Sequence, residues 1–112
     1  VSARRGDVWL VDDVGSPGGG AATGRPVVVV SADALGESTA GVVLVVPTTR
    51  THRGIPSHVA IEPGSSGLES VHYATCEDLR SVTEERLAHR LGTVSAETLA
   101  ATGRILAMLL DL

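Results

Sequence analysis

Short apolar runs separated by turn residues dominate the chain up to residue 82. Residues 8–11 (Val-Trp-Leu-Val) read as a first strand that ends at Asp12-Asp13. The four valines at 27–30, opened by Arg25-Pro26, predict a strand buried on both faces, because unbroken β-branched residues leave no face for water. Pro26 suits the start of such a strand. Residues 31–35 predict a helical turn and 36–41 a polar connection. Residues 42–46 predict another buried strand, stopped by Pro47. Residues 48–57 are polar, and the alternation of His58, Val59, Ala60, Ile61 and Glu62 then suits a strand. Turn chemistry at 63–67 is followed by two further short strands, at 71–76 and 79–82.

The pattern changes after residue 82. Thr83 before Glu84-Glu85 reads as the N-cap and acidic first turn of a short helix, which Gly92 ends. Ser95 is a second N-cap, with Val94 and Leu99 spaced for a hydrophobic staple. Leu99, Leu106, Leu109 and Leu110 share one apolar face, so the chain finishes on an amphipathic helix. Five or six short strands and one packed helix predict a single, mainly β domain over residues 1–112, a small partly open barrel. Residues 14–24 hold five glycines and a proline and read as a mobile surface loop with amides free to meet a ligand.

Composition narrows the chemistry. A chain of 112 residues holds one core, and 43% apolar with 20% charged residues argues against disorder. Trp9 and Tyr73 are the only aromatic residues, so the core is aliphatic. Trp9 fits the first strand's pattern as a core residue; Tyr73 suits core or surface alike. The net charge of −4 excludes a generic polyanion binder, so any nucleic-acid site is local. Residues 1–60 balance five arginines with five acids, whereas 61–112 carry the whole excess of acid, which places an anion site in the first half. The lone Cys76 excludes an internal disulfide and a zinc site and reads as a buried, inert thiol. His52, His58, His72 and His89 are scattered, so no metal or cofactor is expected. The first fifteen residues hold no apolar core of a signal peptide and no run is long enough to span a membrane, which suits the cytoplasm.

Two polar clusters each border a buried strand. Arg25 opens the second, after the glycine loop; Thr48, Thr49 and Arg50 follow the third. If those strands are antiparallel neighbours, the two clusters share one rim. A guanidinium beside a hydroxyl, fronted by loop amides, suits a phosphate. A solvated strand-end charge beside a hydroxyl-bonded turn fits the same residues.

Six segments, in order along nearly the whole chain, resemble the MazF/PemK family of toxin–antitoxin endoribonucleases. They are Arg5-Gly6-Asp7-Val8-Trp9-Leu10-Val11-Asp12, Gly24-Arg25-Pro26-Val27-Val28-Val29-Val30-Ser31, Val45-Val46-Pro47-Thr48-Thr49, Pro56-Ser57-His58-Val59-Ala60-Ile61, Glu77-Asp78-Leu79-Arg80-Ser81-Val82, and Arg86-Leu87 with Leu91-Gly92 and the last helix. The resemblance implies an SH3-like small barrel with a C-terminal helix, paired as a homodimer. It implies metal-independent, sequence-specific cleavage of single-stranded RNA by attack of the 2′-OH on the adjacent phosphorus. It also implies a MazE-like antitoxin whose acidic, disordered tail covers the RNA groove.

Carried over by position, Arg25 stabilises the transition state and Thr49 binds the phosphate, while Glu77 matches an acidic position with a proton-transfer role. For Glu77 a strand-end charge paired with Arg80 is the competing reading. Ser16, Gly24, Thr48, Arg50 and Arg80 are the expected RNA-binding residues. The first loop departs from relatives: Gly15-Ser16-Pro17 stands where many carry an acid and some a histidine, so RNA sequence preference does not transfer. The alternatives are a non-catalytic, CcdB-like gyrase binder acting through the end of the last helix, with Leu109, Asp111 and Leu112, and an inactive toxin homologue.

Overall fold

The computed structural model describes residues 3–12 and 24–112. Its elements in chain order are β1 (Asp7–Val11), β2 (Arg25–Val29), α1 (Asp33–Gly36), β3 (Val42–Thr49), β4 (His58–Ile61) and β5 (His72–Thr75). β6 (Arg80–Thr83), β7 (Leu87–Thr93) and α2 (Ala96–Leu110) follow, with single 3₁₀ turns at Cys76–Asp78 and Glu84–Arg86. All pairings are antiparallel. The strand order is β4-β5-β3-β2-β1-β7, with β6 also on β3. A mainly β fold with a C-terminal helix is therefore present, and its sheet is not closed. The glycine-rich segment lies, from Asp13 to Thr23, outside the described residues.

β3 organises the sheet. One of its edges pairs with β2, where Val27 faces Pro47 and Val29 faces Val45. Its other edge pairs first with β6 through residues 42–45, then with β5 through Thr48 and Thr49. Pro47 does not end the strand as its sequence suggests. It sits between the two partners of that edge, where no ladder N–H is needed. Its carbonyl accepts from Thr75 Oγ1 at 3.1 Å.

Strand alternation sorts the valines into two packed layers. Val28, Val30 and Val46 join Val8, Ile61, Ala74 and Cys76 beneath α2. Val27, Val29, Val43 and Val45 join Trp9, Val11 and Val82 on the other face. The four-valine run is thus buried on both faces, and Trp9 is core, with 6% exposure. The Arg-Gly-Asp opening is structural as well. The Asp7 carboxylate accepts from the Arg4 amide at 2.9 Å and from Trp9 Nε1 at 3.4 Å, and pairs with Arg90 Nε at 3.3 Å.

The short helix expected from Thr83 to Gly92 is absent. Glu84–Arg86 makes one 3₁₀ turn, Thr83 caps nothing with its side chain, and β7 follows. β7 pairs along the whole of β1, from Asp7↔Thr93 to Val11↔Leu87. Two register shifts each absorb an extra β7 residue, so Leu87 and Leu91 join different layers. Their four-residue spacing imitates a helix face, but the ladder to β1 outweighs local propensity.

Ser95 does cap α2: its Oγ accepts from the Thr98 amide at 3.1 Å. Val94 and Leu99 pack in one layer, as the staple requires, together with Leu106. Leu109 and Leu110 do not join them; with Met108 and Leu112 they are exposed. Among the described residues no helix is long and apolar enough to cross a membrane.

Cys76 is buried in the layer beneath α2. Burial, then the neighbouring Glu77 carboxylate, pushes its thiol up to about 11. The folded protein should therefore resist a disulfide reagent at neutral pH and release one thiol equivalent only on unfolding. Fast labelling of native protein would contradict this burial.

Candidate active site

The two polar clusters meet as antiparallel pairing requires. Continuing the β2–β3 register two residues beyond Val27↔Pro47, past Pro26 and Thr48, sets Arg25 opposite Thr49. Both occupy odd positions of their strands, on the Val27 and Val45 face. Across the next ladders Thr49 faces Tyr73 and Thr75 faces His58. The 3₁₀ turn after β5 then carries Glu77 back beside β4, where the Cys76 amide donates to the Ser57 carbonyl at 3.2 Å.

These residues line one cleft of about 320 Å³. Its floor is Val11, Val27, Val45 and Val82, and its polar wall holds Arg25, Thr48, Thr49, His58, Thr75 and Glu77. Pro47, Arg53, Asp78, Arg80 and Arg86 complete it. Four arginines against two carboxylates make a locally positive site in a chain of net charge −4. Arg80 and Arg86 come from the acidic second half, so the cleft's arginines are not confined to the first half of the chain.

The two threonines differ in what they offer. Thr48 is buried and its hydroxyl donates to the Pro26 carbonyl at 2.9 Å, so its one proton is spent. Thr49 Oγ1 accepts from the Thr51 amide at 3.2 Å and keeps its proton for a ligand. The local hydroxyl bonds expected of a turn are thus present at both threonines. The Arg25 guanidinium makes no ion pair with any described residue and lies on the cleft wall.

Glu77 has found other partners than Arg80. Ser57 Oγ donates to its Oε1 at 2.7 Å, and His58 Nε2 lies 2.9 Å from its Oε2. The Ser57 hydrogen bond is the largest cause holding this carboxyl below its usual range; desolvation, next in size, opposes it, and its own amide and His58 add smaller help. Arg80 Nε instead donates to the Asp78 carbonyl at 3.4 Å.

Of the expected site residues, Arg25, Thr48, Thr49, Glu77 and Arg80 share the cleft. Arg50 does not: it lines a separate depression with Pro26, Leu68 and His72. It follows Thr49 directly, and strand alternation carries neighbours to opposite faces. Gly24 is partly buried against Leu10 and the Val11 carbonyl, outside the cleft. Ser16 lies outside the described residues. Sequence reading missed Ser57, His58, Arg53 and Arg86. The Pro56-Ser57-His58 and Arg86-Leu87 segments were visible as motifs, but only the folded β4–β5 ladder and the turn before β7 give them a place in the cleft. Tyr73 is half-buried beside the His52 ring, with centroids 5.1 Å apart and planes tilted by 43°. Among the described residues no three His, Cys, Asp or Glu side chains converge to hold a metal ion.

Comparison with known proteins agrees with this architecture. The profile of the PemK-like, MazF-like toxins of type II toxin–antitoxin systems matches residues 4–110. The endoribonuclease MazF9 of Mycobacterium tuberculosis is 37% identical over 114 aligned positions, covering 97% of each chain. The endoribonuclease MazF of Staphylococcus saprophyticus is 34% identical, over 82% of this chain and 78% of its own. A mycobacterial endoribonuclease solved in complex with its cognate antitoxin superposes with a TM-score of 0.81 at 27% identity, covering 99% of this chain and 97% of that one. The chain thus belongs to the PemK-like, MazF-like toxin family of type II toxin–antitoxin systems.

Proposed function

We propose that the chain is the toxin of a type II toxin–antitoxin pair and cuts single-stranded RNA at specific sequences without a metal ion. The observation that carries this reading is the placement of Arg25 opposite Thr49 in a positive cleft of an acidic protein. The 2′-oxygen bonds to phosphorus as the bond to the 5′-oxygen breaks, and the departing 5′-oxygen takes a proton from solvent water, leaving a 2′,3′-cyclic phosphate and a 5′-OH. Arg25 and the Thr49 hydroxyl stabilise the charge that develops on the phosphoryl oxygens. Glu77, held ionised, accepts the proton of the 2′-OH.

The same reading includes a homodimer in the bacterial cytoplasm and a MazE-like antitoxin with an acidic, disordered tail. The arginine-rich cleft complements such a tail. The exposed Met108, Leu109, Leu110 and Leu112 give α2 an apolar end for protein contact.

The test incubates purified protein with a long mixed-sequence RNA in excess EDTA and maps cut sites and end groups. Discrete cuts with 5′-OH ends are expected. Thr49→Ala should slow them roughly 10²-fold with the fold retained, the loss usual for one donor to a transition-state oxyanion. An unchanged rate would remove Thr49 from the site. Absence of cuts by folded protein would overturn the RNase reading and direct the next test to gyrase binding.

A further inference from the structure

We propose that Ser57 and His58 are positioning residues of the cleavage site, clamping the Glu77 carboxylate in the one orientation that faces the cleft. This rests on the RNA-cleaving reading above and extends it to residues outside the expected set. The two carboxylate oxygens are engaged separately, Oε1 by Ser57 Oγ at 2.7 Å and Oε2 by His58 Nε2 at 2.9 Å. Two donors on different oxygens fix both the position and the plane of the group.

The backbone around the clamp is tied down on both sides. The Cys76 amide donates to the Ser57 carbonyl at 3.2 Å, joining the turn that bears Glu77 to the segment that bears the donors. The His58 amide donates to the Ile55 carbonyl at 3.0 Å, closing the turn before β4.

The imidazole is placed at a cost. The His58 side chain is 6% exposed, whereas Glu77 is 41% exposed at the cleft mouth. His58 Nδ1 is buried with no partner among the described residues. A ring chosen for stability would satisfy both nitrogens or be apolar. Here the satisfied nitrogen is the one that reaches Glu77.

An ionised carboxylate accepts from both donors at once, Ser57 O–H and His58 Nε2–H. Protonating Glu77 leaves one of these donors facing an O–H, so the clamp favours the form that accepts a proton. The other charged groups lining the cleft are Arg25 on β2, Arg53 before β4, Asp78 on the same turn, Arg80 on β6 and Arg86 before β7. The arginines act in the same direction as the clamp, and Asp78 opposes it. The neighbouring Cys76 thiol titrates only near 11 and stays neutral through the working range.

The sign follows from the depressed carboxyl. Activity needs ionised Glu77, so it is present at neutral pH and is lost as pH falls through the folded-state pKa. Removing Ser57, the largest lowering cause, raises that pKa and moves the acid limb upward.

The test measures kcat/KM for RNA cleavage against pH in wild type, Ser57→Ala, Ser57→Thr and His58→Gln, with unfolding curves for each. The expected result is an acid limb displaced to higher pH in Ser57→Ala and restored in Ser57→Thr. His58→Gln, which keeps a donor on Oε2, should shift it less than Ser57→Ala. A merely structural role would lower the rate by one factor at every pH and leave the midpoint in place, and that result overturns the proposal. If His58→Gln does not fold, the two Ser57 variants decide alone. An active wild type with unmoved limbs defeats only the clamp; a wild type that cuts no RNA defeats the RNase reading and the clamp with it.

Discussion

Arg25→Ala should abolish RNA cleavage, by about 10³-fold or more, while the protein stays folded. Arginines aimed at a transferring phosphoryl group are worth 10³ to 10⁵ in rate, more than a neutral donor, because charge is stabilised in a water-poor site. Arg25 is the cleft arginine set opposite Thr49, and its two neighbours along β1 and β2, Val11 and Val27, are apolar floor. A phosphate seated there meets one guanidinium fork and one free hydroxyl from adjacent strands. The side chain is exposed at a strand's first residue and supports neither packed layer, so stability should hardly change. Arg25→Lys should recover only a fraction of the rate, since an ammonium keeps the charge and loses the fork. Cleavage rates with end-group mapping, beside a thermal unfolding curve, read both quantities. Loss of folding would make Arg25 structural; an unchanged rate would move the chemistry to Arg53, Arg80 or Arg86.

Gly92→Ala should lower the stability of the fold sharply. β7 and the turn before Leu68 touch backbone to backbone: a methyl on Gly92 would overlap the Ser65 carbonyl oxygen and reach within 2.6 Å of the Ser66 carbonyl carbon. Gly67 on the facing side has φ +77 and an equally close approach to the Leu91 carbonyl. The Thr93 amide donates to the Ser65 carbonyl at 2.8 Å, so the turn cannot lift without breaking that hydrogen bond. Backbone does not yield as a flexible side chain does, and the overpacking cost is about 3 kcal/mol or more. That is a large part of the roughly 5–15 kcal/mol that stabilises a domain. Gly103→Ala is the control: within α2 its methyl meets only the Arg5 guanidinium, at 3.2 Å, and should change stability by about 1 kcal/mol or less. Denaturant unfolding of the two variants beside wild type decides the matter. A Gly92→Ala midpoint near wild type would show the 63–67 turn to be movable.

The same glycine marks where sequence reading stopped. Glu84-Glu85, Leu87, Leu91 and Gly92 carry acidic-start, apolar-spacing and glycine-stop signals for a helix, and all are local. The open edge of β1 is a tertiary fact, and it recruits the segment as β7. Pro47 shows the same limit. A proline stops a strand only if its N–H is needed, and the changeover from β6 to β5 makes it unneeded. By contrast, the valine run at 27–30 and the staple of Val94 with Leu99 were legible, since burial on two faces and helix entry both depend on neighbours in sequence.

Sequence alone determined the mainly β class of fold, the family through six ordered segments and, once the two strands are antiparallel neighbours, the meeting of Arg25 with Thr49. That last point needed only two buried strands and the geometry of antiparallel pairing. Tertiary structure decided which side of a strand end each residue took: Thr49 into the cleft, Arg50 out of it, Thr48 turned inward to the Pro26 carbonyl. It also decided the partners of Glu77, because Ser57 and His58 lie about twenty residues away and reach it only through the β4–β5 ladder and the turn that follows. Periodicity in sequence reports which residues share a face. Which faces close on one another is set by long-range pairing, and the cleft's charge and hydrogen bonding arise there.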